Sequence, residues 1–284
     1  MRFQRLLFAV ILACGATACA KDVVGVAHPA PPLAYVRYIN AVPDTFNLDF
    51  RAVDQVQYSE PFLDVAFRGL GEGNYQGYQA GSRHIRVFLD PNPSGVTVAV
   101  SPTVVSTVMV DTTYTFTAGT YYTIVHVGGS RAGAAVKEKF WIIQDALPTQ
   151  STANVAFRIV NTAYVQGAVD VYVNGTTPLT GAPAAASLAF GSTTAYLTQA
   201  PGPIVIRLTA PGTINAVGAA AGYTVQAGTA GTTAADPIYG SGIGGSIFSA
   251  FIFDASSAGT VGAAFAAPGV VFFPDLQPPR TTSP

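Results

Sequence analysis

Charge is what this sequence has least of. Asp, Glu, Lys and Arg make up 10% of its 284 residues, against about a quarter in an ordinary soluble protein. The 14 basic residues are balanced by 15 acidic ones without a clustered run, so there is no basic stripe and nucleic acid is set aside as a partner. Cysteine is nearly absent too. Cys14 and Cys19 are the only two, and a mature chain starting at Cys19 would hold no internal disulfide, leaving its cores to depend on burial alone. The three histidines, His28, His84 and His126, are scattered, and no His/Asp/Glu group has ligand spacing; the expectation is no metal and no cofactor. Beyond the amino terminus, no apolar run reaches the roughly 20 residues of a membrane-spanning helix. No segment carries a helical period.

What the chain does have is Gly, Pro and Tyr, at 29, 20 and 13 residues, the punctuation of short strands and turns. The amino terminus reads as an export signal, with Arg2 and Arg5 ahead of a short apolar core at 6–13. Ala18-Cys19 and Ala13-Cys14 both resemble a lipobox, and Ala18-Cys19-Ala20 also fits an ordinary A-x-A cleavage pattern. Cys19 is the favoured acylation site, because cutting before Cys14 would leave Cys19 as a stray thiol. On this reading 1–18 is a cleaved signal peptide and 19–33 a lipidated, Pro-containing tether, and the protein is exported, periplasmic or attached to the outer membrane.

The stretch Val36-Arg37-Tyr38-Ile39-Asn40-Ala41, followed by Leu48-Asp49-Phe50, returns as Phe157-Arg158-Ile159-Val160-Asn161-Thr162 and Val169-Asp170-Val171. The offset is 121 positions, kept by Arg37 and Arg158, Asn40 and Asn161, Asp49 and Asp170, Gly81 and Gly202, and Arg86 and Arg207. The fold class expected is all-β, as two tandem immunoglobulin-like β-sandwich domains at 34–147 and 152–268, with a Pro-rich tail at 269–284 whose Val270-Val271-Phe272-Phe273 could add a last strand. Between 151 and 268 the only charged residues are Arg158, Asp170, Arg207, Asp236 and Asp254. That surface is too neutral for a typical free-standing module, and two readings stand side by side: the first domain, the tail or another protein covers part of it, or Thr, Ser, Gly and Ala make it polar enough without charge.

The run from Tyr35 to Asp44, the strand Val169-Asp170-Val171-Tyr172-Val173, Gly202 with Ile206-Arg207-Leu208, and Ala118-Gly119-Thr120-Tyr121-Tyr122-Thr123-Ile124 resemble the domain-of-unknown-function family 4397, common in bacterial extracytoplasmic proteins. The likeness covers most of 34–128 and 155–254. It implies an immunoglobulin-like sandwich and no assigned activity, so it gives no residue a functional role. The Gly-rich 69–77 and the Gly/Ala/Thr stretch 216–236 depart from the pattern.

Several constellations have a structural and a chemical reading. Arg37 with Asp49, and Arg158 with Asp170, would be cross-strand ion pairs if their strands form hairpins. Asn40 and Asn161 close strands, where their side chains can bond the turn backbone. Gly240-Ser241-Gly242-Ile243-Gly244-Gly245 has the letters of a dinucleotide fingerprint but precedes a strand rather than a helix, so it reads as a glycine loop. Asp90, Asp111, Glu72, Glu138 and Asp145 supply carboxylates without a spacing that makes a glycosidase pair. Tyr75, Tyr78, Tyr121 and Tyr122 read as core rather than a sugar contact. The expectation is a non-catalytic lipoprotein of the cell envelope that binds or scaffolds an envelope protein or glycan; the alternative is a carbohydrate-binding or carbohydrate-active protein.

Overall fold

In the strand Leu33–Ala41 and its counterpart Val155–Asn161 the polar–apolar alternation of an ordinary sandwich strand gives way to nearly continuous burial, and the architecture explains why. The computed structural model describes residues 30–55, 62–90, 107–175, 179–260 and 264–280. Residues 1–18, expected to be a signal peptide, Cys14, Cys19, residues 19–29 of the expected tether, a strand expected at 96–100 and the last four residues lie outside the described residues.

All named elements are strands. The N-terminal half contains β1 (Leu33–Ala41), β2 (Leu48–Ala52), β3 (Gly69–Leu70), β4 (Gln76–Gln79), β5 (Gly81–Leu89), β6 (Val108–Phe116), β7 (Tyr121–Val127) and β8 (Lys139–Asp145). The C-terminal half contains β9 (Val155–Asn161), β10 (Val169–Val173), β11 (Ala185–Leu188), β12 (Ser192–Thr193), β13 (Leu197–Gln199), β14 (Val205–Thr209), β15 (Tyr223–Thr224), β16 (Ile247–Phe253) and β17 (Gly269–Leu276). Each half folds into two sheets of its own. In the N-terminal half β3 and β4 flank β1, which runs parallel to β7, which pairs with β8; in the C-terminal half β12 and β13 flank β9, which runs parallel to β16, which pairs with β17. The second sheets are β2-β5-β6 and β11-β10-β14-β15. The counterpart of β11 in the N-terminal half is the segment around 62–65, which bridges Leu48 to Val65 without forming a named strand.

Three apolar layers hold these sheets. Val36, Tyr38, Phe50, Ile85, Val87 and Ile124 form a core within the N-terminal half, and Phe157, Ile159, Val171, Ile206, Phe248 and Ile252 the equivalent core within the C-terminal half. Between them lies a third core, with Ile39, Val125 and Ile143 from one half against Val160, Phe251, Phe253 and Phe273 from the other. Side chains alternate across a strand, so β1 sends Val36 and Tyr38 into its own sandwich and Arg37, Ile39 and Ala41 toward the partner half. Both faces are buried, and a strand buried on both faces reads as an apolar run.

One expectation is corrected. Arg37 does not face Asp49, nor Arg158 Asp170, because β1 and β2, like β9 and β10, pass into different sheets rather than forming a hairpin. Val270-Val271-Phe272-Phe273 lies in β17, whose eight residues complete the inner sheet against β16. β6 runs on through Asp111-Thr112-Thr113, which pair in register with Arg86, Ile85 and His84 instead of turning.

Candidate functional site

Four buried charged side chains meet where the halves join. Arg37 extends from the middle of β1 toward the partner half and is fully buried, as is Asp275 of β17; their side chains meet at 2.6 Å. Arg37 also donates through Nε to Thr123 Oγ1 at 2.8 Å and through Nη1 to the Pro274 carbonyl at 2.8 Å. Arg158, in the equivalent position of β9, donates through Nε to Ser249 Oγ at 2.9 Å and pairs with Asp145 of β8. Thr123 and Ser249 correspond too, each lying directly opposite its arginine on the parallel neighbour strand.

The symmetry extends to the acceptors. Asp145 receives Thr123 Oγ1 at 2.6 Å and the Tyr75 hydroxyl at 2.8 Å. Asp275 receives Ser249 Oγ at 2.8 and 2.9 Å and the Tyr196 hydroxyl at 2.7 Å. Each guanidinium sits by a tyrosine ring, Arg37 at 4.6 Å from the Tyr75 centroid and Arg158 at 5.1 Å from that of Tyr196, a cation–π contact that gains strength when desolvated. Two cations and two anions thus form a neutral quartet in which each arginine takes its carboxylate from the other half.

Burial on its own would lower the pKa of Arg37, but Tyr75, Asp275 and Asp145 outweigh it and the net shift is upward. Arg158 behaves alike: burial lowers, Asp145 and Asp275 raise, and the cation wins. Burial pushes the Tyr75 and Tyr196 hydroxyls up, with nearby carboxylates adding to the shift. The quartet is built as two ion pairs, each carboxylate further satisfied by a hydroxyl from its own sheet and by a tyrosine.

Two more arginines of the N-terminal half clasp the loop between β16 and β17. Arg68 donates to the carbonyls of Asp254 and Ala267 and lies 4.1 Å from the Phe265 ring centroid. Arg131 donates to the Ala258 carbonyl at 2.7 Å.

The other candidate residues are dispersed. Asp49 accepts the Asp64 N–H at 2.9 Å and Arg51 at 3.0 Å, while Asp170 accepts Ser187 N–H at 2.6 Å and Gly212 N–H at 2.7 Å. Asp64 and Ser187 both have positive φ, 52° and 47°, so these carboxylates brace strained turns. Asn40 donates to the Val65 carbonyl and accepts the Val42 N–H; Asn161 donates to Leu188 and Gly167 carbonyls and accepts the Ala163 N–H. Asp111 pairs with His84 and Arg86 on the exposed β5–β6 face, and Glu138 lies 3.3 Å from the buried His126, whose other ring nitrogen meets the Tyr38 hydroxyl at 3.0 Å. The carboxylates Asp111, Glu138 and Asp145 thus belong to three separate clusters. The glycine loop at 240–245 is dictated by packing: a Cβ at Gly240 would lie 2.1 Å from the Gly228 nitrogen, and one at Gly244 would lie 1.9 Å from the Thr152 carbonyl oxygen.

Asp145 and Asp275 were the partners that sequence reading missed for the two arginines. Their signal was present only as an apolar strand ending in Asp in each half, Phe140-Trp141-Ile142-Ile143-Gln144-Asp145 and Val270-Val271-Phe272-Phe273-Pro274-Asp275.

No curated protein matches this sequence. Among solved structures, the Bacillus anthracis TIE protein is matched at 9% identity and a TM-score of 0.21, over 86% of this chain and 44% of that one; the chain spans less than half of that protein's length. The family model described as Domain of unknown function (DUF4397) matches residues 34–172, which takes in the N-terminal half and continues through β9 into β10.

Proposed function

We propose that this chain is a non-catalytic lipoprotein of the bacterial cell envelope, acylated at Cys19, in which two repeats of the DUF4397 module act as one rigid binding or scaffolding body. The observation that carries the reading is the crosswise quartet. The buried carboxylates that could have served acid–base chemistry, Asp145 and Asp275, are each bonded to an arginine, a hydroxyl and a tyrosine, and their arrangement joins two modules instead of opening onto a cleft. Such a body presents fixed outer faces and costs little ordering when a partner binds.

Membrane fractionation and fatty-acid labelling test the anchoring. The wild-type protein should take up a fatty-acid probe and sediment with membranes, and Cys19→Ser should lose both properties. Unchanged labelling in that variant would move the anchor to Cys14, and no labelling of the wild type would indicate simple secretion. Pull-down from envelope fractions with the full chain tests the partner.

A further inference from the structure

The two halves differ at one edge. β6 runs nine residues, whereas its counterpart β15 runs two. Beside β15, between it and the outer edge of β17, a groove of about 490 Å³ opens, lined chiefly by Tyr223, Thr224, Gln226, Tyr239, Val271 and Phe272.

None of the residues that line the groove carries a charge. Of the five charged residues between 151 and 268, Arg158, Asp170 and Asp254 are buried. Arg207, which packs beside Gly222, donates to the Gly175 carbonyl, and Asp236 is paired with Arg280. Arg68, which lies beside Gly269, is bonded to the Asp254 and Ala267 carbonyls. The bordering cations are thus engaged by carbonyls of the chain itself.

Strand addition is also disfavoured. Tyr223 Oη donates at 2.8 Å to the carbonyl of Pro268, just ahead of β17, and Tyr239 Oη at 2.8 Å to that of Phe272 within it, so the Phe272 carbonyl is already capped. Pro274 removes a backbone donor from the same strand. The same bonds pin both tyrosine rings in place, which gives a preorganised aromatic lining. Gln226 donates to the Tyr239 carbonyl at 2.8 Å, which leaves its Oε1 as an acceptor on an exposed side chain, and the Thr224 hydroxyl is exposed beside it.

We propose that this groove binds a neutral glycan, with tyrosine rings against the apolar C–H surface of a sugar and the Gln226 amide and Thr224 hydroxyl on its hydroxyl groups. Fixed aromatics with a few placed polar groups and no charge are the chemistry that recognises an uncharged polyol, and not an anion or an extended peptide. The inference rests on the reading of the chain as an envelope binding module and names the kind of partner.

Calorimetric titration of the full chain with cellohexaose, maltohexaose and chitohexaose tests it, with hexagalacturonate and a neutral threonine-rich peptide for comparison. At least one neutral hexasaccharide should bind, and Gln226→Ala and Thr224→Lys should each weaken that binding about tenfold without changing the melting temperature. No binding of any neutral hexasaccharide, binding indifferent to both variants, or binding of only the anionic sugar or the peptide would overturn the proposal. Membrane fractionation of the same variants reads the anchored-module assignment independently, so failure of one is distinguishable from failure of the other.

Discussion

Arg37 of β1 and Asp275 of β17 meet at 2.6 Å with neither side chain accessible to solvent, across the junction of the two halves. Removing one charge from a buried pair leaves the other uncompensated. Asp275→Ala would strip Arg37 of its carboxylate and Ser249 and Tyr196 of their acceptor, and is expected to cost about 3–5 kcal/mol of unfolding free energy in a denaturant titration. The double variant Arg37→Met/Asp275→Leu should cost less than the sum of its single variants, by about 0.5–3 kcal/mol. Additive losses would show that the pair is not coupled.

The crosswise arrangement predicts what the C-terminal half does alone. Arg158 corresponds to Arg37 and Asp275 to Asp145, so two copies of residues 150–280 carry both members of each ion pair and the same apolar face of Val160, Phe251, Phe253 and Phe273. A self-complementary face of this kind closes as a two-fold dimer. Light scattering should report a dimer that Asp275→Ala weakens. A stable, soluble monomer would contradict the prediction.

Asp254 gives a pH dependence whose sign can be stated. Burial raises its pKa above 3.8, against the lowering effect of the backbone N–H groups of Val165, Gln166 and Tyr164 and of Arg68. The folded state therefore holds this proton more tightly than the unfolded chain does. Its contribution to stability is fully present below the ordinary Asp value and is lost as pH rises through the raised folded value. Carbon-detected NMR should find Asp254 titrating above the exposed aspartates, and Asp254→Asn should flatten the stability profile in that window.

Local chemistry was legible in the sequence and long-range pairing was not. The 121-residue offset matches Arg37 and Asn40 to Arg158 and Asn161, which occupy the same places in β1 and β9, and Asn40 and Asn161 bond N–H groups two residues away, within reach of any reading of turns. Charge is scarce after residue 151, and in the structure Ile39, Val125 and Ile143 of the N-terminal half pack against Val160, Phe251, Phe253 and Phe273. The partner of Arg37, Asp275, lies 275 − 37 = 238 positions further on, where spacing holds no information. The nearer Asp49 looked plausible only while β1 and β2 were assumed to share a sheet. The strand that Val270-Val271-Phe272-Phe273 could add runs on through Pro274 to Leu276 as β17, since a proline is compatible with an edge strand.

Differential scanning calorimetry of the chain from residue 30 onward tests most directly the claim that two sandwich repeats are locked into one body by their exchanged arginine–aspartate pairs. A single cooperative transition is predicted, shifted down as a whole by Asp145→Asn or by Asp275→Asn. Two separable transitions in the unsubstituted protein, or a shift confined to one half, would contradict the account.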